Sequence, residues 1–276
     1  MSKQTILLTF PATLKYSSLV RHMMDEIFVM VGFSKDWSNR LKLVADELFM
    51  NAVKYGSVEE TGKVNIGMEY DSEGLLFFVE DEGVGKNKVT PEEINKIIKK
   101  NTNETQVTST SGRGLAMITS LWTDTIEITP STIGGIKVTF TKKVDNTPPP
   151  PSPMVQMQVD KFEEEKKTTT PATMEESTSK KGPTFLFKLK GEIDQLNIEK
   201  NTIPVEDQIK KMPKGSQLIL DFTDVKFINS SFIGHLAAWY KSLKNLDGGV
   251  TVKNINQEVQ DILNLVGLSH VLTFDK

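Results

Sequence analysis

Glu47 and Asn51 stand four residues apart in Asp46-Glu47-Leu48-Phe49-Met50-Asn51. On a helix that spacing puts both on one face. A carboxylate beside a carboxamide can accept a proton and ligate magnesium, respectively. Two solvated polar residues on an amphipathic helix would show the same spacing, so the pair alone does not specify chemistry. A second pattern, Asp81-Glu82-Gly83-Val84-Gly85, follows the apolar run Leu75–Val79. An Asp leaving a strand before Gly-x-Gly sets a carboxylate beside a backbone that a ligand can approach closely. A plain turn after an edge strand is the competing reading. A third, Gly112-Arg113-Gly114, precedes an apolar stretch. Glycines at a helix start expose backbone N–H groups suited to phosphate, and Arg113 can add a charge-assisted bond. A flexible loop and a helix cap would look alike here. In the C-terminal part, Asn229 or Ser230 precedes the apolar run Leu236–Trp239 and suits a helix N-cap.

The elements that must position these groups follow from periodicity. We read strands at 5–10, 63–70, 74–80, 125–129 and 135–141. Helices are expected at 16–31, 36–55, 91–100 and 114–122. The C-terminal part reads as strands at 184–189, 217–222 and 250–254, with helices at 197–211, 231–244 and 256–266. Strands alternating with helices of this length indicate mixed α/β layers.

Between these parts the composition changes. From Val144 to Gly182, prolines occupy 148–151, 153 and 171, and Phe162 is the sole aromatic residue. Such a segment buries too little apolar surface to offset its ordering entropy. We read it as a linker of extended polyproline and flexible coil, within which Met154–Val159 could pair as a strand. The chain thus divides into 1–143, 144–182 and 183–276. A flexible stretch of 39 residues spans about 35 Å r.m.s.. That holds one domain around the other at roughly millimolar concentration.

Composition limits the chemistry. With 33 Lys+Arg against 36 Asp+Glu, the net charge is -3, which argues against a protein that wraps nucleic acid. There is no cysteine, so disulfides, zinc–thiolate sites, iron–sulfur clusters and thiol nucleophiles are excluded. With 3 His, a metal would need mainly oxygen ligands. No window reaches the ~18 apolar residues of a membrane span, and the N-terminus lacks a signal-peptide pattern. A cytoplasmic protein is expected.

Taken together and in order, the first three patterns resemble the GHKL family, whose Bergerat ATP-binding fold is shared by histidine kinases and gyrase. Within it, residues 1–143 are most similar to the anti-sigma-factor serine kinases. The layout of two helices joined by Gly32-Phe33-Ser34 ahead of the Glu/Asn helix carries the likeness further. The resemblance implies that Glu47 is the general base and Asn51 a magnesium ligand. It implies that Asp81 binds adenine, with Gly83 and Gly85 in the adjoining turn. Gly112, Arg113 and Gly114 fall in the phosphate-binding lid hinge. Ile136 stands where the family more often has Thr, and Tyr55 where many members have His. His22, the sole histidine of this part, reads as a plain helix residue rather than a phosphoacceptor.

Residues 184–276 resemble a STAS domain, as in anti-sigma-factor antagonists. Lys190-Gly191-Glu192-Ile193-Asp194 looks like its first strand end, Leu218–Phe222 like its central strand, and Val225–Ser231 like its phosphorylation loop. The resemblance maps the phosphoacceptor to Ser230. Asn229 replaces the usual Asp, and Phe232 replaces a Gly, where it is expected to crowd an incoming partner.

The expected fold class is α/β (α+β) in two domains: an N-terminal ATPase α/β sandwich and a C-terminal mixed sheet with helices. The two resemblances imply a cytoplasmic partner-switching regulator of transcription. It would bind ATP and magnesium and phosphorylate a STAS-domain serine, either Ser230 in cis or trans or that of a partner. Implied partners are a sigma factor or other regulatory protein, STAS-domain or kinase-domain proteins, and a second copy through the N-terminal domain, with no nucleic acid and no membrane. The alternative is a non-catalytic ATP-binding module whose STAS domain is a pseudo-substrate. Plain ATP hydrolysis, as in gyrase relatives, would lack their transducer domain.

Overall fold

The computed structural model describes residues 3–58, 60–85, 90–92, 122–145, 147 and 182–275. Two compact units emerge, Met1–Pro149 and Pro150–Lys276. Residues 148–181, which include most of the expected linker, lie outside the described residues. So do most of the helices expected at 91–100 and 114–122.

The first unit contains β1 (Gln4–Pro11), α1 (Ser17–Val31), α2 (Lys35–Asn51), β2 (Lys63–Tyr70), β3 (Gly74–Asp81), β4 (Thr125–Pro130) and β5 (Ile136–Lys143). Its sheet has the order β1-β2-β3-β5-β4, antiparallel throughout. Alternation along β3 buries Leu75, Phe77 and Val79, the period-two signature of a sheet with one covered face. The cover is helical. Val20, Met24, Phe28 and Val31 of α1 recur at helical spacing and are buried. Phe28 meets Phe77 at 6.2 Å, and Phe77 stacks on Phe140 at 5.0 Å. From α2, Phe49 meets Phe10 of β1 edge-on at 5.9 Å.

The joint between α1 and α2 is local chemistry. Gly32 ends α1 at φ 113, in the left-handed region, and its N–H returns to carbonyls of the last turn. Ser34 starts α2 by accepting from the Trp37 N–H at 3.3 Å. A buried ion pair then ties the helices together. Arg21 Nη1 lies 2.8 Å from Asp46 Oδ1, with each side chain 2% exposed.

The second unit contains β6 (Thr184–Ile193), α3 (Ile198–Ile209), β7 (Gln217–Ile228), α4 (Ser230–Lys244), β8 (Gly249–Lys253), α5 (Gln257–Leu265) and β9 (Thr273–Asp275). Its strands follow the order β6-β7-β8-β9, and all three described pairings are parallel. Each described pair is bridged by a helix, the crossover that parallel neighbours require, as expected of a sheet layered with helices. β7 also runs to Ile228, so the expected loop 225–231 is largely strand, with Val225, Phe227 and Ile228 buried. β9 escapes a sequence reading because three residues carry no periodicity.

Removing one member of a buried ion pair leaves an uncompensated charge. Arg21→Ala is expected to lower the stability of the first unit by about 3–5 kcal/mol. Urea unfolding of the full chain checks this, and a shift under about 1 kcal/mol would contradict it.

Candidate functional site

α2 positions the Glu/Asn pair. Leu43, Val44 and Leu48 are buried, which turns the Glu47 and Asn51 face toward the open side of the helix end. Both residues are half-buried. Asn51 Nδ2 donates to Glu47 Oε1 at 3.4 Å. With its nitrogen so used, the carboxamide oxygen of Asn51 is the atom available to a cation. Lys54, exposed and seven residues beyond Glu47, lies within electrostatic reach of it. Partial desolvation of its amine pulls the pKa down, opposed by the charges of Glu47 and Asp46. The sequence reading missed Lys54, although in the helix expected over 36–55 its i to i+7 spacing from Glu47 is two helical turns.

After Asn51 the chain widens into a π turn over Ala52–Gly56, a device common beside functional sites. The expected helix 36–55 thus ends early as an α-helix. The π turn brings Gly56 against the end of β3. A Cβ at Gly56 would strike the Asp81 carboxylate, and so would one at Gly135. A Cβ at Gly85 would strike the carbonyl of Tyr55. Asp81 is 7% exposed. Its Oδ1 accepts from the N–H of Gly83 at 2.9 Å and of Ile136 at 3.2 Å. Burial pushes the Asp81 carboxyl up from its ordinary value; the two amide bonds oppose that, and Glu80 and Glu82 add to it. Gly83 has φ 66, which suits glycine. Ile136 serves through its backbone, so the Thr-to-Ile departure does not touch this contact. Gly56 and Gly135 were also missed; their signal was glycine on both sides of a single Asp in the fold, which sequence distance conceals. Gly112, Arg113 and Gly114 lie outside the described residues.

In the second unit, Asn229 caps α4, its Oδ1 accepting from the Phe232 N–H at 3.0 Å. Its own N–H donates to the Ile193 carbonyl at 3.1 Å, tying the start of α4 to the end of β6. Ser230 opens the helix half-buried, and Ser231 is exposed. Phe232 corrects the sequence reading. It is 0% exposed and packs against Phe222 at 6.2 Å and Trp239 at 5.8 Å. Phe232, Leu236, Trp239 and Leu243 form the buried stripe of α4, so Phe232 fills the core and crowds no partner. His22 lies on α1, exposed, with Nδ1 2.7 Å from the Ser18 carbonyl.

Residues 10–142 match the family model of the histidine kinase-like ATPase domain, and residues 176–276 match that of the STAS domain. Residues 10–142 thus form an ATPase domain of that family and residues 176–276 a STAS domain. Among curated proteins, the serine-protein kinase RsbW of Bacillus mycoides (strain KBAB4) is 27% identical over 127 residues, 44% of this chain and 75% of the relative. Among solved structures, the anti-sigma factor antagonist SpoIIAA in its unphosphorylated form is 19% identical. It covers 36% of this chain and 85% of its own, with a TM-score of 0.30.

The ATPase domain fits a nucleotide at both ends of the described site. At one end three glycines keep side chains away from Asp81 and its turn. At the other, Asn51 is bonded through its nitrogen to the Glu47 carboxylate, which leaves its oxygen to a cation. Among the described residues no group of three His, Asp or Glu could hold a metal by itself. Magnesium here would need phosphate oxygens as well, which is its habit in nucleotide sites.

Asp81 yields a test with a defined sign. A carboxyl whose folded pKa is raised contributes stability below its unfolded pKa and loses it as pH rises through the folded value. At neutral pH its buried charge is therefore a cost. Asp81→Asn, which keeps an oxygen for the Gly83 and Ile136 amides, should raise the nucleotide-free thermal midpoint at pH 7. The gain should shrink as pH falls toward 3.8, the ordinary carboxyl value. A midpoint at pH 7 equal to or below that of the natural chain would contradict the assignment.

Proposed function

We propose that this chain is a partner-switching protein serine kinase. Its ATPase domain binds ATP with magnesium and phosphorylates a STAS-domain serine, Ser230 of this chain in cis or trans or its equivalent in a partner. Phosphorylation then controls a sigma factor or another regulatory protein, and so transcription, in the cytoplasm. The single observation that carries the reading is the Glu47–Asn51 pair, hydrogen-bonded to each other on one face of α2. The name of the RsbW relative supports the same class. No helix among the described residues is long and apolar enough to cross a membrane.

Bound Mg-ATP would supply the phosphoryl group and the cation that balances its charge. Glu47 accepts the proton of the serine hydroxyl while the serine oxygen attacks the γ-phosphorus; the bond to the β–γ bridging oxygen breaks and ADP leaves. Asn51 offers its oxygen to the cation, and Asp81 accepts from the exocyclic amine of the base. Lys54, beside Glu47, adds positive charge where the transferring group gathers negative charge. On the acceptor side, Ser230 stands at the first turn of α4. The orphan N–H groups and positive dipole end there stabilise a phosphoserine.

Incubation with γ-labelled ATP and magnesium should label the protein, with mass spectrometry placing phosphate on Ser230. Glu47→Gln should reduce transfer ~100-fold or more while ATP still binds. Ser230→Ala should abolish labelling of this chain and leave transfer to an added STAS domain. Nucleotide-dependent retention of a partner with no transfer to any serine would support the non-catalytic module instead.

A further inference from the structure

We propose that Glu80 is a positioning residue for Asp81, acting through the β4–β5 turn. The proposal rests on reading Asp81 as the carboxylate that meets the nucleotide base. Alternation along β3 puts Glu80 and Asp81 on opposite faces of the sheet, so Glu80 cannot reach the nucleotide itself. It is nonetheless 5% exposed. A buried carboxylate is costly unless hydrogen-bonded, and the hydrogen-bond partners of Glu80 are neutral side chains. Asn65 Nδ2 donates to its Oε1 at 3.0 Å, and Ser131 Oγ donates to its Oε2 at 3.0 Å, with Thr132 Oγ1 at 3.5 Å. Lys137, opposite Glu80 in register, lays its Nζ 3.7 Å over the Phe78 ring instead.

The consequence lies in what Ser131 does next. Its Oγ also accepts from the Ile133 N–H at 3.0 Å. Its backbone N–H donates to the Gly135 carbonyl at 2.7 Å. Gly135 then donates to the Asp81 carbonyl at 3.1 Å, and Ile136 to Asp81 Oδ1 at 3.2 Å. An unbroken path therefore runs from the Glu80 carboxylate, around the turn and through the sheet plane, to the carboxylate of the next residue. On the far side, Thr9 Oγ1 of β1 donates to Asn65 Oδ1 at 2.8 Å, which fixes the amide orientation that Glu80 needs. Glu80 thus sets the turn, and the turn sets which Asp81 oxygen stays free for the base. Glu47 and Asn51 sit on α2 and take no part in this path, so base recognition should suffer while the transfer step does not.

The test uses the full chain with ATP and GTP as titrants in calorimetry, followed by transfer kinetics. Glu80→Ala and Ser131→Ala should each weaken ATP binding about tenfold, the worth of one well-placed hydrogen bond. Their double variant should be no worse than the weaker single, because both cut the same path. GTP affinity should stay unchanged, and KM for ATP should rise with kcat unchanged. Glu80→Gln should recover most of the affinity, since a flipped amide still accepts from Ser131. A merely structural role would lower thermal stability without narrowing the ATP–GTP difference. If Glu80→Ala does not fold, Ser131→Ala, which leaves β3 intact, decides alone. A natural chain that binds no ATP overturns the nucleotide reading itself. A natural chain that binds ATP, with Asp81→Asn weakened but Ser131→Ala unchanged, overturns only the role of Glu80.

Discussion

Burying Asp81 at the end of β3 costs free energy unless its oxygens are hydrogen-bonded and its surroundings leave room. Much of the first unit answers that demand. Glycine stands at 56, 85 and 135 because side chains at 56 and 135 would overlap the carboxylate, and one at 85 would overlap the Tyr55 carbonyl. The π turn after α2 brings Gly56 to the strand end, where its carbonyl accepts from the Val84 N–H at 3.1 Å. The β4–β5 turn closes the other side and delivers the Ile136 amide. The segments that converge on this one group come from distant parts of the chain.

The same helix that ends in the π turn carries Glu47 and Asn51, so the two ends of the site are coupled by α2. Its placement depends on the Gly32–Ser34 joint and on the buried Arg21–Asp46 pair. Asp46 precedes Glu47, so the pair fixes helix rotation one residue before the proposed base. Lys54 then lies near both carboxylates. Opposite charges gathered at one helix end are an arrangement suited to phosphoryl chemistry. In the STAS domain, a helix again does the positioning. Asn229 seals the start of α4 and Phe232 anchors its first turn in the core, which presents Ser230 and Ser231 at the helix end.

Local patterns were legible to differing depths. Strands β1 to β5 and helices α1 and α2 could be read because their apolar residues recur at 2.0 or 3.6 with clear punctuation at Pro11, Gly32 and Ser34. Glu47 and Asn51 were legible for the same reason, since one helix face is a matter of spacing. β7 ran past its expected end at Phe222 because β6 pairs with it up to Asp221 and, after a register shift, again from Asp224. Phe232 was misplaced because a residue in a family loop position was judged by its size. Its helical phase with Leu236 and Trp239 decides where it points.

By itself the sequence determined the two-part division, the absence of thiol chemistry, the helix joint and the residues able to handle a proton, a cation and a hydroxyl. These depend on composition, or on spacings of a few residues, which backbone geometry converts directly into a shared face or a cap. Only the tertiary structure decided that Gly56 and Gly135 flank Asp81, that Lys54 attends Glu47, and that Glu80 holds a turn 51 residues away. The physical reason is common to all three. Their partners meet through sheet pairing and the widened turn after α2, and no local pattern encodes which distant backbone will be close enough to forbid a side chain or accept its bond.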